Sequence, residues 1–72
     1  MTRIVVDLGA GINKYPGAIS VDSNPITNPD ILHNLDEFPY PFETSSVDEV
    51  RMDNTLEHMV DVIAVLTEIY RI

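Results

Sequence analysis

Cysteine is absent from the 72 residues, which excludes a disulfide framework and any cysteine-based zinc or redox centre. Positive charge is nearly absent as well. Four Lys and Arg stand against twelve Asp and Glu, a formal charge of −8. Such a field repels phosphate backbones and anionic lipid, so neither nucleic acid bound through a basic surface nor a membrane surface is an expected partner. The acidity itself reads most simply as solubility. No run approaches the roughly 18 apolar residues of a membrane span, and the N-terminus lacks the basic and apolar blocks of a signal peptide. The expectation is a cytoplasmic protein. Seventy-two residues make at most one small domain, at a size where a single core supplies about 3–5 kcal/mol. An apolar fraction of 44% is ordinary for a folded chain.

What is present begins with Arg3 to Leu8 (RIVVDL), a continuous β-branched apolar run. It reads as a strand covered on both faces, as in a parallel sheet. Gly9 to Gly17 is turn material, with three glycines and Pro16. Ala18 to Asp22 (AISVD) is a second strand that ends in an acid, and Ser23 to Pro29 (SNPITNP) is loop. Asp30 to Leu35 supplies a third strand, and Val47 to Met52 a fourth. In the fourth, alternation puts Glu49 and Arg51 on one side and Val50 and Met52 on the other. Between them the Pro- and aromatic-rich Glu37 to Ser46 is a connection, because two prolines so close cannot occupy a central strand. A helix starts after Asp61, its N-cap, with Val62, Val65, Leu66 and Ile69 at helical spacing.

The connections are short for this arrangement. Parallel neighbours ordinarily need a crossover of about a dozen residues, normally a helix, whereas about nine and about seven separate the first three strands. One face of the sheet therefore loses its usual helical cover, and the polar pair Glu49 and Arg51 suits a face that is partly wet.

A strand that runs into Gly9-Ala10-Gly11 lets a ligand approach the backbone, since glycine carries no Cβ. Asp22, at the end of the next strand, has the chemistry to accept hydrogen bonds from both hydroxyls of a ribose, as an acid does about 20 residues after the glycine turn of dinucleotide folds. Here eleven residues separate it from Gly11, because the intervening helix is missing. Glycines after a strand are by themselves only a turn; the pair with a strand-terminal acid is the more specific signal.

The stretch VVDLGAGINKYPGAISVD resembles the opening "LDLGCG-x-x-K-x-PG-x-IxVD" of the small class I S-adenosylmethionine-dependent methyltransferases with a shortened first connection. The likeness continues through DILHNLDEFPYPFETSSVDEV and NTLEHM…VLTEIYRI, and covers nearly the whole chain in order. It implies an α/β, Rossmann-like fold with a partial, mostly parallel sheet and few helices. It also implies S-adenosylmethionine as cofactor and methyl transfer to an acceptor that the chain does not identify.

Carried onto this sequence, the resemblance puts Asp7, Gly9, Ala10 and Gly11 in the first cofactor loop, near the methionine and ribose portions. Asp22 holds the ribose hydroxyls. Asn34 and Leu35 stand near the adenine, with the side chain on the exocyclic amine and the backbone N–H on a ring nitrogen. Asn54 lines the pocket close to the sulfonium. Two departures are plain: Asn13 replaces the third glycine of the fuller pattern, as in the shortened members, and the uncharged Asn34 replaces an acid.

Other residues invite chemistry less securely. His58 and Glu57, with Asp53 and Asp61, have the donor types of a base or a metal site, but in an acidic chain such a group is usually caps and solvated first-turn residues. No catalytic base and no metal ligand is assigned. His33 reads as a packed or surface side chain. Tyr15, Tyr40, Phe38 and Phe42 have the rings to stack on an adenine, although aromatics between prolines usually pin a loop.

In the resembled family the sequence continues past this chain's Arg71-Ile72 into a fifth strand and the rest of the sheet. The expectation is a single partial domain over 1–72, with the C-terminal half of the fold missing, a sheet edge open to pairing, and a helix stripe short of cover. Self-association or a missing half would meet that need. The alternative is a non-catalytic, truncated Rossmann-like module that acts through self-association or partner binding. A dehydrogenase-type nucleotide binder is disfavoured by the short connections.

Overall fold

A computed structural model describes residues 3–53 and 55–72. Four strands, β1 (Val5–Leu8), β2 (Ile19–Asp22), β3 (Ile31–Leu32) and β4 (Glu49–Arg51), form one sheet in the order β3-β2-β1-β4. Every pairing is parallel. Among the described residues one α-helix, α1 (Val62–Arg71), follows, and short 3-10 turns occupy Pro25–Thr27 and Leu56–His58. The chain is thus α/β. Among the described residues no helix is long and apolar enough to cross a membrane.

The strands are shorter than the apolar runs that encode them, for local reasons. After Leu32 the ladder gains one more bond, His33 N–H to Asp22 O at 3.0 Å. The chain then turns, because Asn34 Oδ1 accepts from Asp36 N–H and Asn34 O accepts from Glu37 N–H, both at 2.9 Å. Short polar side chains that bond nearby backbone compete with strand pairing in this way. At β4, Val47 N–H pairs with Ile72 O at 2.8 Å, so the chain joins the sheet only from Glu49. The Leu56–His58 turn was not among the expected elements.

Period-two alternation separates the two faces of the sheet. One face holds Val6, Leu8 and Val21, all fully buried, packed with Leu35, Tyr40 and Ile72. Val50 and Met52 join this side. Burying each such aliphatic side chain contributes about 1.5–3 kcal/mol. The other face carries Asp7, Ser20, Glu49 and Arg51, which the register sets side by side.

Among the described residues no helix covers that polar face; the Gly9–Ala18 connection does. Tyr15 N–H donates to Asp7 Oδ2 at 3.1 Å, and the Arg51 guanidinium lies 3.8 Å from the Tyr15 ring centroid. Glu49 takes Arg3 on one oxygen at 2.5 Å and Arg51 on the other at 3.0 Å. The Arg3 hydrogen bond, then that of Arg51, holds the Glu49 carboxyl below its ordinary value. β1 is therefore covered on both sides as its sequence suggests, but by apolar packing on one side and a charged loop clamp on the other. On β2, the buried Ser20 hydroxyl donates to Asp30 Oδ2 at 3.1 Å and accepts from Asp30 N–H at 2.8 Å. That exchange closes the short β2–β3 loop without a helix.

Helix α1 starts at its expected cap, where Asp61 Oδ1 accepts from Ala64 N–H at 3.0 Å. Its inward stripe is rotated from the expected Val62, Val65, Leu66 and Ile69. Val65 and Glu68 are buried, and Ile69 and Ile72 pack on the core. Val62 and Leu66 are 38% and 48% exposed. The reason is Glu68, whose two oxygens take Arg71 at 2.7 and 2.8 Å while Oε2 also accepts from Tyr40 N–H at 2.6 Å. Arg71 in turn donates to the Tyr40 and Phe42 carbonyls at 3.2 and 2.9 Å. A bidentate carboxylate–guanidinium pair thus replaces apolar packing where the aromatic loop meets the helix. The Arg71 hydrogen bond holds the Glu68 carboxyl below its ordinary value.

Candidate functional site

The carboxyl ends of all four strands open on one cavity of about 420 Å³, inside the roughly 300–1,000 Å³ of small-molecule sites. Gly9 enters from β1, Asp22 and Ser23 from β2, and Asn34, Leu35 and Asp36 from β3. Thr55, His58 and Met59, after β4, form the remaining wall. In open parallel sheets this end of the strands, where the strand order reverses, is where ligands bind.

Gly9 is needed at its position for two reasons. Its φ is +71°, a region that costs other residues about 1–2 kcal/mol. A Cβ there would also collide with Oγ1 and Cγ2 of Thr55. The turn is held by Gly9 N–H, which donates to Val21 O at 2.7 Å. Gly11 has a positive φ of 62° but open space around it.

Asp22 braces two loops. Its Oδ2 accepts from Gly11 N–H and its Oδ1 from Asn24 N–H, each at 2.9 Å. A carboxylate has about four lone-pair sites, so each oxygen keeps acceptor capacity beyond its internal bond. Asp36 braces the opposite rim, where its Oδ1 accepts from Val60 N–H at 3.0 Å. Leu35 is buried, and its carbonyl accepts from the Tyr40 hydroxyl at 2.8 Å.

Of the residues singled out in the sequence, Gly9, Asp22, Asn34 and Leu35 meet at the cavity. Asp7, Ala10 and Gly11 do not line it. Asp7 turns back to hold the loop through Tyr15 N–H, and Gly11 reaches the site only through Asp22. Asn54 lies outside the described residues. Sequence reasoning passed over Ser23, Asp36, Thr55 and Met59 as lining residues; Ser23 and Asp36 follow directly on Asp22 and Leu35, and that adjacency was the available signal. His58 lies on the wall with its side chain 74% exposed, 4.0 Å from Glu57. Among the described residues no three His, Asp or Glu side chains converge as a metal site would require.

None of the four aromatic candidates lines the cavity. Tyr15 lies against Arg51, and Phe38 stacks on Tyr40 at 5.5 Å. Phe42 packs at the core. They pin loops. His33 is packed too, edge-on to Tyr40 at 5.7 Å, with Nε2 2.9 Å from Glu37 O.

The wall is rich in acceptors, with the carboxylates of Asp22 and Asp36 and no Lys or Arg. It suits hydroxyls, amines and positive charge. It suits a diphosphate poorly, because the β1–β2 connection contains no helix whose N-terminus would receive one. Compared with family models, curated proteins and solved structures, the chain matches none.

Proposed function

We propose that this chain is the S-adenosylmethionine-binding portion of a cytoplasmic, class I-type methyltransferase with a Rossmann-like fold. The observation that carries the reading is the meeting of Gly9, Asp22, Asn34 and Leu35 at one cavity. Gly9, Asp22 and the Asn34–Leu35 pair are distant from one another in sequence, and each was singled out from the sequence alone. Support also comes from the strand order β3-β2-β1-β4, which equals the first four strands of the 3-2-1-4-5-6 arrangement of dinucleotide folds. A wall with acceptors and no cation favours a sulfonium nucleoside over a pyrophosphate-bridged dinucleotide.

When bound, the cofactor supplies an activated methyl group on a positively charged sulfur. The protein's part is binding and alignment. Asp22 offers its remaining lone pairs to vicinal hydroxyls, Gly9 closes the β1 end of the cavity against Thr55, and the Asn34–Asp36 turn meets the base. Asp36 adds negative charge to the site. No side chain is assigned as a catalytic base.

Calorimetric titration tests the reading. S-adenosylmethionine and S-adenosylhomocysteine are expected to bind with measurable heat, and NAD is not. Absence of heat with both sulfur nucleosides, on folded protein, overturns it.

One observation favours a second reading, a non-catalytic module that works through a partner or a second copy. Ile63, Leu66 and Tyr70 on α1 are 78%, 48% and 93% exposed, and β4 pairs only with β1 among the described residues. A folded chain that binds no nucleoside but sediments as a dimer would favour this reading.

A further inference from the structure

β4 is the last strand of the sheet, with no described strand beyond it. Glu49 N–H donates to Ile4 O at 3.1 Å, and the ladder sets Val5 against Glu49, Val6 against Val50 and Asp7 against Arg51. In a parallel ladder alternate residues turn their backbone groups to opposite sides. Glu49 and Arg51 therefore bond to β1, and the Val50 N–H and C=O point outward from the sheet edge. The side chains alternate as well. Val50 packs at the apolar core, whereas Glu49 and Arg51 share the polar face, 31% and 36% exposed.

Edge strands are commonly guarded by charge, especially Lys, which repels a second copy. β4 instead carries one charge of each sign, two residues apart, and that order is self-complementary. In an antiparallel pairing about a two-fold axis at Val50, each Glu49 stands directly opposite the partner's Arg51. The axis at Glu49 would set that carboxylate against its own copy, and the axis at Arg51 would do the same to the guanidinium. Like charges directly opposite are destabilising. A slip by one residue would lay the polar face of one copy beside the apolar face of the other. Of the registers centred on a β4 residue, only the one at Val50 pairs opposite charges. It also joins Val50 N–H to Val50 O in both directions and leaves Glu49 and Arg51 at the non-hydrogen-bonded positions, where side chains are closest. Within its own chain Glu49 holds Arg3 on one oxygen and Arg51 on the other. Each carboxylate oxygen keeps a second lone pair, and Arg51 gives only one nitrogen to Glu49. The cross-pair thus adds to the internal one without breaking it. The opposite edge, β3 (Ile31–Leu32), carries no charge to set a register.

We infer that β4 is a self-association edge: two copies join antiparallel about Val50 into one continuous sheet, held in register by two Glu49–Arg51 pairs. The inference stands apart from the nucleoside reading. It deepens the second reading above by naming a second copy as the partner and β4 as the surface.

Sedimentation over a range of concentrations, with charge-reversal variants, tests it. The wild-type chain is expected to pass from monomer to dimer as concentration rises. Glu49→Arg and Arg51→Glu each turn both cross-pairs into like-charge pairs, and each variant alone is expected to dimerise at least about 5-fold more weakly. Mixed in equal amounts, the two variants again set opposite charges across the edge, and a heterodimer close to wild-type strength is expected. Both variants remain net acidic, so a general attraction between them does not produce that result. A wild-type dimer that the reversals leave unchanged, or reversals that mixing fails to rescue, overturns the inference and leaves the second reading to another surface. A wild-type chain that stays monomeric at every concentration overturns it as well and leaves the edge to a different protein. If either variant does not fold, amide exchange on the wild type decides. The Val50 amide is expected to slow as concentration rises, and exchange independent of concentration overturns the inference.

Discussion

Replacing Asp22 by Ala separates the ligand role of this carboxylate from its structural one, because both can be counted. Inside the protein Asp22 accepts two backbone hydrogen bonds, from Gly11 N–H and Asn24 N–H, each 2.9 Å long. Both donors lie at the half-exposed or exposed rim, where water can replace the carboxylate. The stability loss is then about 0.5–1 kcal/mol for each bond, and about 1–2 kcal/mol together. For a domain of this size each kcal/mol moves Tm by about 4–8 °C. Toward a ribose, the two oxygens offer one further acceptor each. Hydrogen bonds to a charged acceptor are worth about 1.5–3 kcal/mol, so losing both predicts a loss of about 3–6 kcal/mol. That is roughly 150- to 25,000-fold in Kd. Alanine is preferable to asparagine, whose NH₂ would face one of the two backbone N–H groups as donor against donor. The assay is calorimetric titration of S-adenosylhomocysteine well below the variant's measured Tm. A folded Asp22→Ala protein that binds within twofold of wild type refutes the ribose assignment.

Two further predictions concern the scaffold. Arg71 depresses the folded-state pKa of Glu68. Its contribution to stability is therefore present above the ordinary Glu value of 4.5 and is lost as pH falls through the folded value. Glu68→Gln should lower stability by about 1–3 kcal/mol at pH 7 and flatten the decline in Tm between neutral and acid pH; an acid limb as steep as wild type would refute the clamp. Gly9→Ala should destabilise by more than the about 1–2 kcal/mol of its left-handed backbone, because of Thr55, whereas Gly11→Ala should show the backbone cost alone. Urea midpoints measure both, and adding Thr55→Ala should recover part of the Gly9 loss as a positive coupling; equal midpoints for the two glycine variants would refute the steric argument.

The strands, their order along the chain and the helix cap were legible because each rests on short-range chemistry. β-branched runs, a glycine pair and Asp61 before an apolar stretch carry their consequences within a few residues. Asp22 was legible for the same reason, as an acid ending a strand. Asp7 stood out in the sequence as part of the first-loop motif, but it lies in β1 and turns back to Tyr15 N–H. Its partner lies eight residues away, and which oxygen of which acid meets it depends on how the loop folds over the polar face.

The inward stripe of α1 shows the limit most clearly. Helical spacing cannot choose between Val62-Val65-Leu66-Ile69 and Val65-Glu68-Ile69-Ile72, since both are continuous faces, and hydrophobicity prefers the first. The second is adopted because Glu68 finds Arg71 and the Tyr40 N–H together, the latter 28 residues away along the chain.

The sequence by itself determined the local elements, the acidity, the glycine turn and the acid that faces it, since these follow from backbone sterics and period. Only the tertiary structure decided which face α1 buries, that a loop rather than a helix covers the polar side of the sheet, and that Asp36, Thr55 and Met59 complete a cavity. Those outcomes depend on where buried polar groups find partners across the fold, and local propensity carries no information about a partner 20 or 40 residues away.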